Sequence, residues 1–298
     1  MVTKNRITNI AITINLTHHF LSNGMQQNIL FLANCINEIP GKNCFLIYFG
    51  QLKNNNLIDP KKCISFVEYY DKNNFSFDLI IYAGFNPGQK RHLIDKSRHK
   101  HTKFICIQYG NELTDDIYYS LNPEFKKKPK EEVGPLDQIW TSPHYKQNIP
   151  YLITKYRNKN IKIAPYLWDD IFIKRQFNEL KINDNFQEFK SKIDIASVTV
   201  FEPNISFTKT SLIPINIVER FEQINPKLIQ KCNVICGKEL TKNEYFPWLI
   251  SNTDIYNKRK NFLKCHQRRP FLYSVYKWGG MVISNQILNE LNYIYLES

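Results

Sequence analysis

A chain of 298 residues with 43% hydrophobic and 14% aromatic content is long enough for two cores, which excludes disorder as its resting state. No apolar run approaches the roughly 18 residues of a membrane-spanning helix, so a soluble protein is expected. The excess of 40 Lys and Arg over 27 Asp and Glu gives a formal charge of +13, which favours anionic partners: nucleic acid, an acidic membrane surface or a phosphorylated small molecule.

The opening MVTKNRITNIAITINLTHHF carries Thr and Asn among its apolar positions and leads to no small-residue cleavage site. It reads as a first strand, not as a secretion signal. Strand-like runs follow at 9–16, 43–50, 63–70, 77–84, 103–110, 137–142 and 161–167. Their apolar residues are mostly continuous, the pattern of parallel strands covered on both faces. Between the first two, Met25, Ile29, Leu32, Ala33 and Ile36 recur at helical spacing and Pro40-Gly41 marks the end, completing one βαβ unit. A charged amphipathic stretch follows Trp168. Strand-like runs restart at 192–202, 231–238, 261–266 and 281–286, with a helix-like segment at 211–223. The simplest organisation is two α/β units, 1–168 and 191–298, joined by a linker at 169–190.

Seven cysteines are scattered, and their one close pair, Cys232 and Cys236, makes no zinc-ligand set. Cys44, Cys106 and Cys232 fall inside strand-like runs, where a free thiol behaves as a small buried hydrophobe; a reducing, cytoplasmic location and no metal are expected. The basic run at 126–130 meets Glu131 and Glu132 at once and has no interleaved aromatics, so it reads as a solvated loop, and no specific nucleic acid is expected as partner. His18, His19, His99 and His101 lack a visible acid or base partner and read as surface or structural groups. The loop before the first helix ends in Asn23-Gly24. A helix N-terminus there suits phosphate or sugar hydroxyls, while the same dipeptide also fits an ordinary turn in which positive φ is supplied.

The segment LTHHFLSNGMQQNILFLANCINEIPGKNCFLIYFG resembles the opening of GT-B glycosyltransferases. With QYGNE (108–112), DQIWTSP (137–143), IAPYLWDD (163–170), VFEPNISFTKTSLIPINIVE (200–219) and QILNELNYIYLE (286–297), the ordered set is similar to an uncharacterised glycosyltransferase-like family related to glycosyltransferase family 4. The resemblance implies an α/β fold of two Rossmann-like domains, acceptor-side first and donor-side second, with parallel sheets flanked by helices. It implies sugar transfer from a nucleotide-diphosphate donor to a glycan, lipid or protein hydroxyl, in the cytoplasm or peripheral to a membrane. No cofactor beyond that co-substrate is implied, and no metal, since no Asp-x-Asp stands in a matching place.

On the same resemblance, Asn23, Gly24, Tyr109 and Asn111 line the first domain's side of a cleft, Tyr109 standing where the family often has a histidine. Lys209 matches the lysine of a basic pair that neutralises the donor diphosphate, and Asn204 stands where its arginine would be. Glu297 and Asn289 match two glutamates that hold the ribose and the sugar; Glu290 would be turned about 100° away on a helix. Independently of function, that segment reads as an amphipathic helix with Leu288, Leu291, Ile294 and Tyr295 inward. No catalytic base emerges. The sequence ends at Ser298, before the later elements of a family donor domain. A shortened second domain is therefore expected, with self-association or a partner chain through the C-terminal half and weak or absent transfer by the chain alone; a catalytically inert binder of an anionic ligand or protein is the alternative.

Overall fold

The computed structural model describes residues 7–17, 20–52, 58–72, 74–98, 100–122, 134–182, 189–190, 193–288 and 292–298. The chain divides into two units, Met1–Trp168 and Asp169–Ser298. His18, His19, His99, the basic run at 126–130, Asn289, Glu290 and Leu291 lie outside the described residues.

In the first unit the strands are β1 (Thr8–Leu16), β2 (Lys42–Gly50), β3 (Cys63–Ser65), β4 (Leu79–Tyr82), β5 (Lys103–Gln108), β6 (Gln138–Thr141) and β7 (Ile161–Ile163). They pair in the order β3-β2-β1-β4-β5-β6-β7, every pair parallel. Helices α1 (Gly24–Glu38), α2 (Phe66–Asp71), α3 (Gln89–Arg98), α4 (Glu112–Leu121) and α5 (Ile149–Tyr156) belong to the same unit. The continuous apolar run of β1 is explained by its position: it lies between β2 and β4, and Ile10 to Ile14 are all buried. Ala11, Ile47, Ile80, Tyr82 and Phe104 share one core with Tyr69, Tyr70 and Phe77.

The run at 63–70 is a strand only as far as Ser65. Ser65 Oγ accepts the Glu68 N–H at 3.0 Å and starts α2. A hydroxyl three residues ahead of a glutamate is the local signal that overrides the β-branched and aromatic run.

The second unit carries β8 (Ser197–Val200), β9 (Lys231–Val234), β10 (Leu263–Cys265) and β11 (Met281–Ile283), parallel and in the order β10-β9-β8-β11. Its helices are α6 (Ile171–Glu179), α7 (Leu212–Ile224), α8 (Tyr245–Ser251), α9 (Asp254–Asn257), α10 (Phe271–Trp278) and α11 (Ile294–Glu297). One core joins Val198, Val200 and Val234 to Ile215, Val218, Phe246 and Ile250. A second joins Phe177 and Phe189 to Phe271, Val275 and Ile294. Residues read as linker thus supply α6, whose buried Gln176 also caps α10 by accepting the Leu272 N–H at 3.0 Å.

Both sheets run outward in two directions from a first strand, β1 or β8, the order of a Rossmann-like unit. The fold class is therefore α/β, two Rossmann-like units of parallel strands flanked by helices, the second sheet smaller. Among the described residues no helix is long and apolar enough to cross a membrane.

Candidate functional site

In a parallel sheet every strand ends at the same edge, and ligands of open α/β sheets bind where the strand order reverses, here between β1 and β4 and between β8 and β11. In the first unit the β1–β4 junction is drawn tight by Thr13. Its hydroxyl accepts the Ala83 N–H and donates to the Phe85 carbonyl, both at 2.9 Å, and Gly84 donates to the Thr13 carbonyl at 2.8 Å. Asn23 caps α1, its side chain accepting the Gln26 N–H at 3.4 Å. Gly24 is the first residue of α1 and is not among the residues with positive φ, which corrects the turn reading. Gln26 is fully buried, its amide donating to the Asn15 carbonyl at the end of β1.

Tyr109 and Asn111 follow β5 and so share this edge with Asn23 and Gly24. Asn111 caps α4: Oδ1 accepts the Thr114 N–H at 3.2 Å and the Asn148 amide at 2.7 Å. Beneath it the Tyr156 hydroxyl accepts from Gln108 at 2.7 Å and donates to buried Glu112 at 2.8 Å, while Lys155 pairs with Glu112 at 3.2 Å. Burial and the Glu112 charge push the Tyr156 phenol far above its ordinary range. At the end of β6, Thr141 Oγ1, Ser142 Oγ and His144 Nδ1 are buried and have no hydrogen-bond partner.

In the second unit the β8–β11 junction is built around Glu202, which is 0% exposed. Its Oε1 accepts the Ser284 hydroxyl at 2.6 Å and the Asn285 N–H at 2.7 Å. Oε2 is buried without a well-formed hydrogen bond. Burial raises this carboxyl, and the donors at 284–286 together with the Lys209 charge pull it back toward ionisation.

Asn204 sits at φ 55°, and its N–H donates to the Lys209 carbonyl at 2.9 Å. Its side chain is occupied by the loop: Oδ1 accepts the Ser211 N–H at 2.8 Å ahead of α7, and Nδ2 donates to the Glu202 carbonyl at 2.9 Å. The expected arginine position is thus a scaffold that brings Lys209 back over the end of β8. Burial raises the Cys236 thiol, and Arg268, beyond β10, lies close enough to pull it partway back. Asn204 Nδ2 also reaches the Cys236 carbonyl at 3.4 Å, which ties the loop after β9 to the loop after β8.

The segment at 286–297 is not one helix. Leu288 adopts φ 53°, helix is found only at Ile294–Glu297 among the described residues, Leu288 and Tyr295 are exposed, and Tyr293 and Ile294 are the buried pair. Glu297 lies in α11, away from the β8 loop in sequence, and burial holds its carboxyl up at about 7. The sequence reading missed Glu202, Ser284, Asn285 and Arg268. Glu202 carried a signal, a lone carboxylate directly after an apolar strand, but its partners stand 82 and 83 residues away.

Residues 10–298 match the model of the family described as Protein of unknown function (DUF2827). No curated protein matches the sequence. Among solved structures the chain is similar to the UDP-GlcNAc 2-epimerase of Methanocaldococcus jannaschii, solved in complex with UDP-GlcNAc and UDP, at 12% identity over 89% of this chain and 75% of that chain, with a TM-score of 0.43.

Proposed function

We infer that this chain, which belongs to the DUF2827 family, binds a nucleoside diphosphate sugar at the carboxyl edge of its second unit and transfers the sugar to a hydroxyl of a glycan, lipid or protein. The observation that supports the reading is the β8 loop. Asn204 spends its side chain on closing the loop, which holds Lys209 beside the end of β8 and just ahead of α7. A lysine and a helix N-terminus together suit the charge of a diphosphate, and they favour the leaving diphosphate more than the intact donor. The Lys209 ammonium acts as the point charge. Glu202, tied to Ser284 and Asn285, fixes the facing loop so that the binding edge is pre-formed.

Calorimetric titration of UDP, uridine and a panel of sugar nucleotides tests this. Lys209→Ala is expected to weaken UDP by about 1.5–3 kcal/mol, roughly 10- to 150-fold, and to leave uridine nearly unchanged. Equal binding of both ligands by variant and parent would remove Lys209 from the site. Tight UDP binding with no turnover of any sugar nucleotide in the presence of acceptor extracts would favour the alternative, an inert binder.

A further inference from the structure

The second unit carries an aromatic surface that the nucleotide site does not use. Between β9 and β10, α8 turns Phe246 and Ile250 into the core and leaves Tyr245 65% and Trp248 59% exposed. The two outward rings sit three residues apart on one helix face, 5.3 Å between centroids and tilted by 36°. Neither ring can turn inward, because Phe246 and Ile250 already fill the space below. The platform is also fixed at its start: the Asn243 carbonyl oxygen Oδ1 accepts the Tyr245 N–H at 2.8 Å. Asn243, Glu244, Tyr245 and Trp248 line a shallow groove that is wide open to solvent. Large rings left out of a core beside such a groove mark a contact surface.

The lining selects the occupant. An anionic lipid headgroup or nucleic acid strand would want uncompensated cations around the rings. Here Glu244 puts a carboxylate in the groove, and Lys242, just before it, lies against the Glu239 carboxylate at 2.6 Å. A pyranose fits better. Its C–H face is apolar and covers an aromatic ring, while its hydroxyls donate to a carboxylate and exchange hydrogen bonds with an amide. We propose that the Tyr245–Trp248 groove is a glycan-binding surface that holds a neutral, hexose-containing oligosaccharide, stacked on the rings and hydrogen-bonded to Glu244 and Asn243. The assignment stands whether or not the β8 edge transfers sugar.

The experiment uses the full chain against immobilised maltohexaose, cellohexaose and a mannose hexamer, with phosphatidylglycerol–phosphatidylcholine vesicles and UDP titration in parallel. The parent is expected to be retained by at least one hexamer. Trp248→Ala and Glu244→Gln should each weaken that retention at least tenfold while leaving Tm and UDP binding unchanged; the altered side chains are on the surface, so folding is preserved. Three results would overturn the proposal: no retention of the parent on any hexamer, retention unaffected by Trp248→Ala, or Trp248-dependent sedimentation with the vesicles in place of glycan binding.

Discussion

Individual side chains in this protein show how burial decides whether a polar group is a scaffold or a reagent. Asp95 is fully buried in the first unit and accepts the hydroxyls of Tyr69, Tyr70 and Tyr82 at 3.2, 3.0 and 2.9 Å, and Tyr82 also meets His92 Nδ1 at 3.2 Å. With His92 Nε2 on the Pro135 carbonyl at 3.1 Å, the imidazole is engaged at both nitrogens, and burial lowers its basicity. This network is satisfied internally and serves the core. Glu297 is different, since burial raises its carboxyl to about 7. Its folded-state pKa lies above the unfolded value, so its contribution is fully present below the unfolded pKa and is lost as pH rises through the folded one. Glu202 shifts in the same direction. Melting curves from pH 4 to pH 8 should therefore show Glu297→Gln and parent alike at the acid end, with the variant gaining a Tm advantage that opens as pH rises and levels off above about 7. A constant difference across the range would show that the carboxyl does not titrate in the fold.

At the level of elements, the β1–β4 junction depends on close backbone approach. A Cβ on Gly84 would sit 2.6 Å from both Asn15 N and Ile14 Cα, and neither is the movable end of a side chain. Gly84→Ala must push the β4 loop away from β1 and stretch the Thr13 bonds to Ala83 and Phe85. Overpacking of this kind costs about 1–3 kcal/mol, and the backbone contact places it at the upper end. Urea unfolding would read this as a lower midpoint at unchanged slope; an unchanged midpoint would mean that the junction is looser than its geometry. The run at 63–70 makes a related point. Its composition favours a strand, yet one serine cap ends β3 and opens α2.

For the whole molecule, each unit owns its cores: Ala11, Ile80 and Phe104 lie in the first, and Val198, Ile215 and Phe271 in the second. Residues 1–168 expressed alone should therefore melt cooperatively by circular dichroism, since cores of that extent support independent domains. The same fragment should bind UDP at least tenfold more weakly than the full chain, because Lys209 and the β8 loop belong to the second unit. A fragment that fails to fold, or that binds UDP as tightly as the full chain, would contradict one or other half of this expectation. The charge of +13 adds a general attraction for anions that fades with ionic strength, so these titrations belong at near-physiological salt.

The sequence by itself determined the fold class. Continuous apolar runs report strands buried on both faces, and that periodicity is a local property readable without partners. It also placed Cys44, Cys106 and Cys232 in the interior, where they are found. What it left open were roles. Asn23, Asn111 and Asn204 all looked like ligand groups, and each turned out to hold backbone at the start of a helix, because capping depends on φ and ψ values that residue type does not fix. Of the helix expected through 288–297, the described residues are helical only at Ile294–Glu297, and Leu288 at its start is left-handed. Glu202 acquired its setting only when the parallel order brought β11 beside β8, with its hydrogen-bond partners more than 80 residues along the chain. The outward pair Tyr245 and Trp248 became a surface only because Phe246 and Ile250 took the core, a competition that tertiary packing settles.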